Sequence, residues 1–355
     1  MPHSSELYAD FQLTVDNCEQ EPIHRPKAIE GHGHLFVWDT RRKQIIACSE
    51  NLRQILGFSP QEVWEGSSVE KLPDEIRQLL QKQPTEDVLK PQTIHLAGQT
   101  YCLIGHMQGQ NLILELEPPE SKPAREEIRL PQLNWLTKKW ELSDSIEQLS
   151  DQICEAIKSL THFDRVMVYY FDEDWNGEVI AERKEDFLEP FKGLHYPATD
   201  IPAMARKLFL ANGIRTIPNV EQSPVLLHIH PALPKKEYID LSLSQLRATS
   251  PIHIEYLQNM GVSASFTVAL KLKGQLWGLI ACHHYSGPLF LEYGFRRTCE
   301  LIASLASNEI LRLENEQASR ESQAFREAEK KLRRLLEQSS EETELADILS
   351  AQMPL

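Results

Sequence analysis

The stretch EPPESKPAREEIRLPQ over residues 117–132 carries four prolines among alternating charges. Proline lacks a backbone donor and steers the residue before it away from the helical region, and a run this polar has no face to bury. Neither a strand nor a helix can continue across it, so the 355-residue chain must fold as separate units on either side.

On the N-terminal side the segments are short. HLFVWD (34–39) and QIIAC (44–48) flank a polar turn, SENLRQILG (49–57) reads as a helix stopped by Gly57, and YCLIGHM (101–107) with LILELE (112–117) flank a second turn. Two hairpins around helices predict one small sheet with its helices on a single face. Beyond the break, Asp144 with Glu147 three residues on forms a capping signature for a helix whose apolar positions are Ile146, Leu149, Ile153, Ile157 and Leu160. RVMVYYF (165–171), EVIAE (178–182), SFTVALKL (265–272) and QLWGLIACHH (275–284) then alternate with polar turns, which predicts a second α+β sheet. Residues 185–262, between these pairs, are rich in Pro, His, Arg and Tyr with little periodicity, and long irregular stretches of that kind usually carry function. From Phe295 to Met353 there is neither Gly nor Pro, which predicts one long helix or two stacked ones; its apolar stripe of Ile302, Leu305, Leu313, Phe325, Leu332 and Leu335 is broken by a polar middle.

Composition narrows the function classes. With 37 Lys+Arg against 52 Asp+Glu the formal charge is −15, which disfavours a nucleic-acid partner. No apolar run approaches the roughly 20 residues of a membrane span. The six cysteines, Cys18, Cys48, Cys102, Cys154, Cys282 and Cys299, show no C-x-x-C spacing, and no signal peptide opens the chain, so a reducing, cytoplasmic setting is expected.

The densest set of chemically able residues is Tyr169, Tyr196, Asp200, Arg206, Arg215, Arg247, His253, Tyr256, Ser265, Thr267, His283 and His284. No G-x-S-x-G or comparable nucleophile setting accompanies these histidines. A metal site would draw on His228, His230, Cys282, His283 and His284, whose spacing is unlike the usual zinc patterns. As a group the residues describe a binding pocket: cations for carboxylates, tyrosines for a flat ring, hydroxyls and imidazoles for directed hydrogen bonds.

HYPATDIPAMAR (195–206), LRATSPIHIEYLQNMGV (246–262) and GQLWGLIACHH (274–284) resemble the signature segments of the phytochrome GAF domain. CEQEPIHRPKAIEGHG (18–33) resembles the segment that opens the PAS domain of bacterial phytochromes. The resemblance implies an α+β chain with an N-terminal extension (1–32), a PAS domain (33–120), a linker (121–135), a GAF domain (136–314) and a helical linker (315–355). It also implies a figure-of-eight knot in which the chain around Ile29 threads a loop drawn from residues 218–246, and a long C-terminal helix.

The function implied is that of a non-enzymatic red/far-red photoreceptor, with one linear tetrapyrrole per chain. Cys18 stands where the biliverdin-binding branch carries its thioether cysteine, and Ile252 precedes His253 where the plant-like branch carries its own, so the resemblance selects biliverdin. It implies that the Asp200 carbonyl, with Ile201 and Pro202 beside it, and His253 face the pyrrole nitrogens. Arg215 and Arg247 would take the propionates, aided by Ser265 and Thr267; Tyr169, Tyr196 and Tyr256 would surround ring D, and His283 would bond its carbonyl. Light is expected to isomerise the methine bridge between rings C and D. Phe209 stands where many relatives carry a tyrosine, and Lys27, Glu30 and Gly31 stand where Gly, Gln and Pro are usual. Expected partners are a second copy of the chain, through helices 144–160 and 296–336, and the PHY and output domains of a longer parent, since only 19 residues follow Leu336. The rivals are a PAS–GAF sensor of another small ligand, such as a cyclic nucleotide or haem, and a metal-dependent enzyme.

Overall fold

The computed structural model describes residues 7–8, 15–57, 59–64, 69–70, 72–81, 87–119, 130–233 and 238–338. Its strands are β1 (Ala28–Ile29), β2 (His34–Asp39), β3 (Gln44–Ser49), β4 (Gln92–Leu96), β5 (Gln99–Gln108), β6 (Asn111–Glu117), β7 (Arg165–Phe171), β8 (Gly177–Lys184), β9 (His195–Tyr196), β10 (Ile214–Ile217), β11 (Val225–Ile229), β12 (Ala264–Leu272) and β13 (Gln275–His284). They form two antiparallel sheets, ordered β1-β11-β3-β2-β6-β5-β4 and β10-β12-β13-β7-β8-β9.

Strand β2 is buried along its whole length because both faces of the first sheet are covered. Phe36 and Trp38 pack with Ile55, Val63, Ile76 and Leu80 of the helices, while the alternate residues Leu35 and Val37 pack with Leu233, Ile239, Leu241 and Leu246. The helices keep to one face, as expected, but the sheet is larger than its local hairpins. Strand β11, almost two hundred residues on in the sequence, pairs with β3 through Leu227↔Ser49, His228↔Cys48 and Ile229↔Ala47.

Residues 28–30 are hydrogen-bonded along both edges. On one side Ile29 pairs with Val225 of β11; on the other it bridges Arg247, while Glu30 N donates to Leu246 O at 2.7 Å. Ile29, fully buried, thus lies between the two limbs of the segment expected to loop around it.

In the second sheet the side chains of β7, β12 and β13 divide by parity. Val166, Val168, Phe266, Val268, Ile280 and Cys282 face a core closed by the helices Ile146–Thr161 and Tyr293–Gln338. The first of these helices is capped by Ser145, whose hydroxyl accepts from Gln148 N at 3.2 Å, while Gln148 Oε1 accepts from Asp144 N at 2.9 Å. The capping pair is therefore Ser145 and Gln148, one residue beyond Asp144 and Glu147, because the Ser145 hydroxyl satisfies the first-turn N–H of Gln148 while the Gln148 amide oxygen reaches back to the Asp144 N–H just before the cap. The C-terminal region is one continuous helix through Gln338. Ile302, Ala303, Ala306, Ile310 and Leu313 are buried; beyond them Phe325 is 73% exposed and the helix is lined by ion pairs such as Arg333–Glu329. Among the described residues no helix is long and apolar enough to cross a membrane.

Candidate functional site

The face of the second sheet opposite its core lines a cavity of about 360 Å³. Met167 and Tyr169 of β7, Ser265 and Thr267 of β12, and Leu279, Ala281 and His283 of β13 point into it at every second position. The same pleat that buries Phe266 and Cys282 therefore exposes Ser265 and His283 to the cavity, and a one-residue slip would exchange them. Pairing of Ser265 with His283 and of Thr267 with Arg215 sets these polar groups side by side.

The remaining walls come from the irregular region. Tyr196, Asp200, Ile201 and Pro202 lead into the helix Ala203–Ala211, which contributes Phe209; Arg247 precedes the helix Pro251–Asn259, whose Ile252, His253 and Tyr256 lie on one side at spacings of one turn. All the residues expected around the ligand thus line one cavity. The backbone at Cys18 lies in the 3-10 turn Val15–Gln20, and its side chain lies outside the described residues.

The walls are mainly apolar with a few oriented polar groups. Tyr169 stands 5.9 Å from the Tyr196 ring and 5.3 Å from Phe171. Tyr256 Oη donates to Asp200 Oδ2 at 3.4 Å, and His253 stacks on the Tyr256 ring at 6.1 Å. Partial loss of water raises the Asp200 carboxyl above its usual range. His253 lines the cavity, and desolvation, with Arg215 nearby, lowers its pKa to about 4. His283 falls to about 3 through burial and the neighbouring Arg165 and His253. Both imidazoles are therefore neutral near pH 7, able to donate from one nitrogen and accept at the other.

Two arginines reach the cavity in different states. Arg215 donates to Glu30 Oε1 at 3.0 Å and to the Thr249 hydroxyl. Arg247 donates to the carbonyl of Ile23 at 2.9 Å, and its buried Nε has no partner among the described residues; burial lowers its pKa to about 9. The buried Nδ1 of His283 is likewise without a partner among the described residues. Such orphaned donors and acceptors beside an apolar cavity fit a large, flat ligand carrying both carboxylates and ring N–H or carbonyl groups.

Two members of the sequence cluster serve elsewhere. Arg206 donates to the carbonyls of Ala198 (3.2 Å) and Ile201 (2.6 Å) and lies over the Trp175 ring, so it fixes the turn that carries Asp200. His284 pairs with Asp164 at 3.0 Å. The metal reading does not assemble: His228 and His230 belong to or follow β11 in the first sheet, Cys282 and His283 to β13 in the second, and among the described residues no three potential ligands converge. Sequence reasoning missed Glu21, which lines the cavity and accepts from the Ser250 hydroxyl at 2.6 Å, and Phe191, which stacks beneath the Arg165 guanidinium. Glu21 lies three residues after Cys18 inside the segment 18–33, which was the signal available for it, whereas Phe191 had no spacing or neighbour in sequence that marked it.

Residues 18–119 match the family model of a PAS fold, and residues 145–310 match that of a GAF domain. The chromophore-binding domain of an unusual bacteriophytochrome from R. palustris superposes with a TM-score of 0.73 at 30% identity, covering 85% of this chain and 99% of that one. The chain belongs to the phytochrome family. It is 38% identical over 318 residues to cyanobacterial phytochrome B of Nostoc sp., covering 86% of this chain and 42% of that protein. It is 34% identical over 306 residues to a bacteriophytochrome of Xanthomonas campestris, covering 84% and 48%. The chain therefore spans less than half the length of these phytochromes.

Proposed function

We propose that the chain is the light-sensing module of a red/far-red photoreceptor that binds one biliverdin through a thioether to Cys18. The observation that carries this reading is that Glu19 and Glu21, which follow Cys18 closely, line the same cavity as Asp200, Arg247 and His253. A thiolate beside a docked conjugated ligand is the competent nucleophile for addition to its vinyl group. A linear tetrapyrrole, when bound, supplies red absorption and a methine bridge between rings C and D whose photoisomerisation rotates ring D.

The chain's own groups suit such a guest. Arg247 can take a carboxylate in a charge-assisted bond, with the Ser265 and Thr267 hydroxyls donating nearby. The Asp200 carbonyl and neutral His253 offer acceptors for ring N–H groups, and His283 offers a bond to a ring carbonyl. Tyr169, Tyr196 and Tyr256 enclose an aromatic ring without a covalent hold, while Ile201, Pro202, Phe209 and Ile252 exclude water. Rearrangement of the tyrosines and of the His283 bond would bias a two-state element of the protein. The same reading carries a homodimer through the helices Ile146–Thr161 and Tyr293–Gln338, a PHY domain and output module in the parent protein, and a cytoplasmic location.

Mixing the protein with biliverdin and denaturing it provides the test. A red absorption band whose colour stays with the polypeptide is expected, and Cys18→Ser should retain the band while losing the covalent colour. Absence of any red band in the parent protein would sink the photoreceptor reading, and covalent colour that survives in Cys18→Ser would move the attachment elsewhere.

A further inference from the structure

Glu30 follows β1 and is 6% exposed. Its Oε1 accepts from Arg215 Nη2 at 3.0 Å, from Thr249 N at 3.0 Å and from the Thr249 hydroxyl at 2.7 Å. Arg215 lines the cavity, whereas Glu30 does not. The carboxylate therefore grips the guanidinium from behind. Among the described residues Arg247 has no ion-pair partner within salt-bridge distance, and Glu21, which also lines the cavity, accepts from the Ser250 hydroxyl.

The two guanidiniums that face the cavity are thus unequal. A buried carboxylate beside Arg215 offsets its charge and repels a second carboxylate arriving from the cavity side, an effect strengthened by the low local dielectric. A glutamine here would keep the shape and could still bond Thr249 and Arg215 without the charge. We propose that Glu30 sets the charge selectivity of the pocket: by engaging Arg215 it leaves Arg247 as the anchor for one ligand carboxylate and weakens the hold on a second, so that a tetrapyrrole's two propionates are bound unequally. Glu30 acts through Arg215 and is a positioning residue. The inference rests on the bilin reading of the cavity.

The test uses the full chain carrying Cys18→Ser, so that binding is reversible, with and without Glu30→Gln, titrated with biliverdin and with biliverdin dimethyl ester. Freed of Glu30, Arg215 can make a charge-assisted bond to the second propionate, so Glu30→Gln should tighten biliverdin roughly tenfold. The uncharged ester should change less than about twofold, within ordinary scatter for a distant contact. A merely structural role would move both ligands alike. In parallel, urea unfolding of the ligand-free Glu30→Gln, Arg215→Gln and double variants should be non-additive, as a buried pair requires. Additive unfolding overturns the pairing, and equal or absent affinity changes for the two probes overturn the selectivity. Failure of the Cys18→Ser parent to bind either probe overturns the bilin reading and this inference with it.

Discussion

Arg296 on the long helix and Glu117 at the end of β6 form a two-pronged ion pair with both side chains at most 1% exposed: Nη2 lies 2.8 Å from Oε1 and Nη1 lies 2.9 Å from Oε2. Arg296 also donates to Leu291 O at 2.6 Å. The pair joins the first sheet to the helix that packs on the second, so it couples the two halves of the chain directly.

Removing one partner leaves the other buried and uncompensated. Arg296→Met should destabilise the protein by about 3–5 kcal/mol, and adding Glu117→Leu should recover much of that loss, because an apolar pair of similar volume carries no desolvation cost. Urea denaturation of the two single variants and the double variant measures this. If the single effects simply add, the ion pair is not what couples these positions.

Glu115 supplies a pH dependence of known sign. Its carboxyl is fully buried and accepts from Ser244 Oγ at 2.6 Å and from Leu246 N at 2.7 Å, both on the segment that covers the first sheet. Burial raises its pKa to about 7, against an ordinary value of 4.5. The folded state then holds a proton that the unfolded chain releases, so the contribution is full below pH 4.5 and is lost as pH rises through 7. His106, 3.8 Å away, runs oppositely: burial lowers its pKa to about 4, so its contribution is lost as pH falls from 6.5. Glu115→Gln removes only the first slope. The stability of the variant relative to the parent should therefore increase by on the order of 3 kcal/mol between pH 4.5 and 7. A difference that stays flat with pH would contradict the protonated, buried carboxyl.

Gly177 controls the position of Tyr169. A Cβ at residue 177 would lie 1.7 Å from Tyr169 Cζ and 1.8 Å from Tyr169 Oη, so the ring has to move. The tyrosine lines the cavity, and Gly177→Ala should displace it at a cost of about 1–3 kcal/mol. Thermal unfolding together with a crystal structure checks both halves of this statement; an unchanged Tyr169 ring in a fully stable variant would refute it.

The hairpins and the long helix were legible because their signals are local. HLFVWD coincides with β2 and QLWGLIACHH with β13, each bounded by turn residues. Strands β1, β10 and β11 were not legible, since two to five residues carry no usable periodicity and β11 finds its partner Gln44–Ser49 only across the fold. The cap was misplaced by one residue because Asp144 and Ser145 both satisfy the pattern, and only the hydrogen bonds distinguish them. The pocket was legible through contiguous segments that fix the residue types at each wall. What those segments could not reveal was the pairing of Glu30 with Arg215, 185 residues apart, which changes the electrostatic role expected of that arginine.

The pocket histidines give a last prediction. His253 and His283 have pKa values near 4 and 3, held down mainly by desolvation, and each adjoins a further positive or titratable group, Arg215 for the first and Arg165 and His253 for the second. A depressed imidazole contributes stability that is complete above pH 6.5 and is lost as pH falls through its folded value. The ligand-free protein should therefore weaken on acidification below pH 6.5, and a variant with both His253→Gln and His283→Gln should show a shallower acid limb. Carbon-13 NMR of labelled imidazoles reads the same property site by site: both rings should stay neutral through pH 6, where they can each accept one hydrogen bond and donate another into the cavity. Either ring titrating at its ordinary value of 6.5 would mean that the cavity hydrates its walls as bulk water does, and that the directed hydrogen bonding argued for His253 and His283 has no basis.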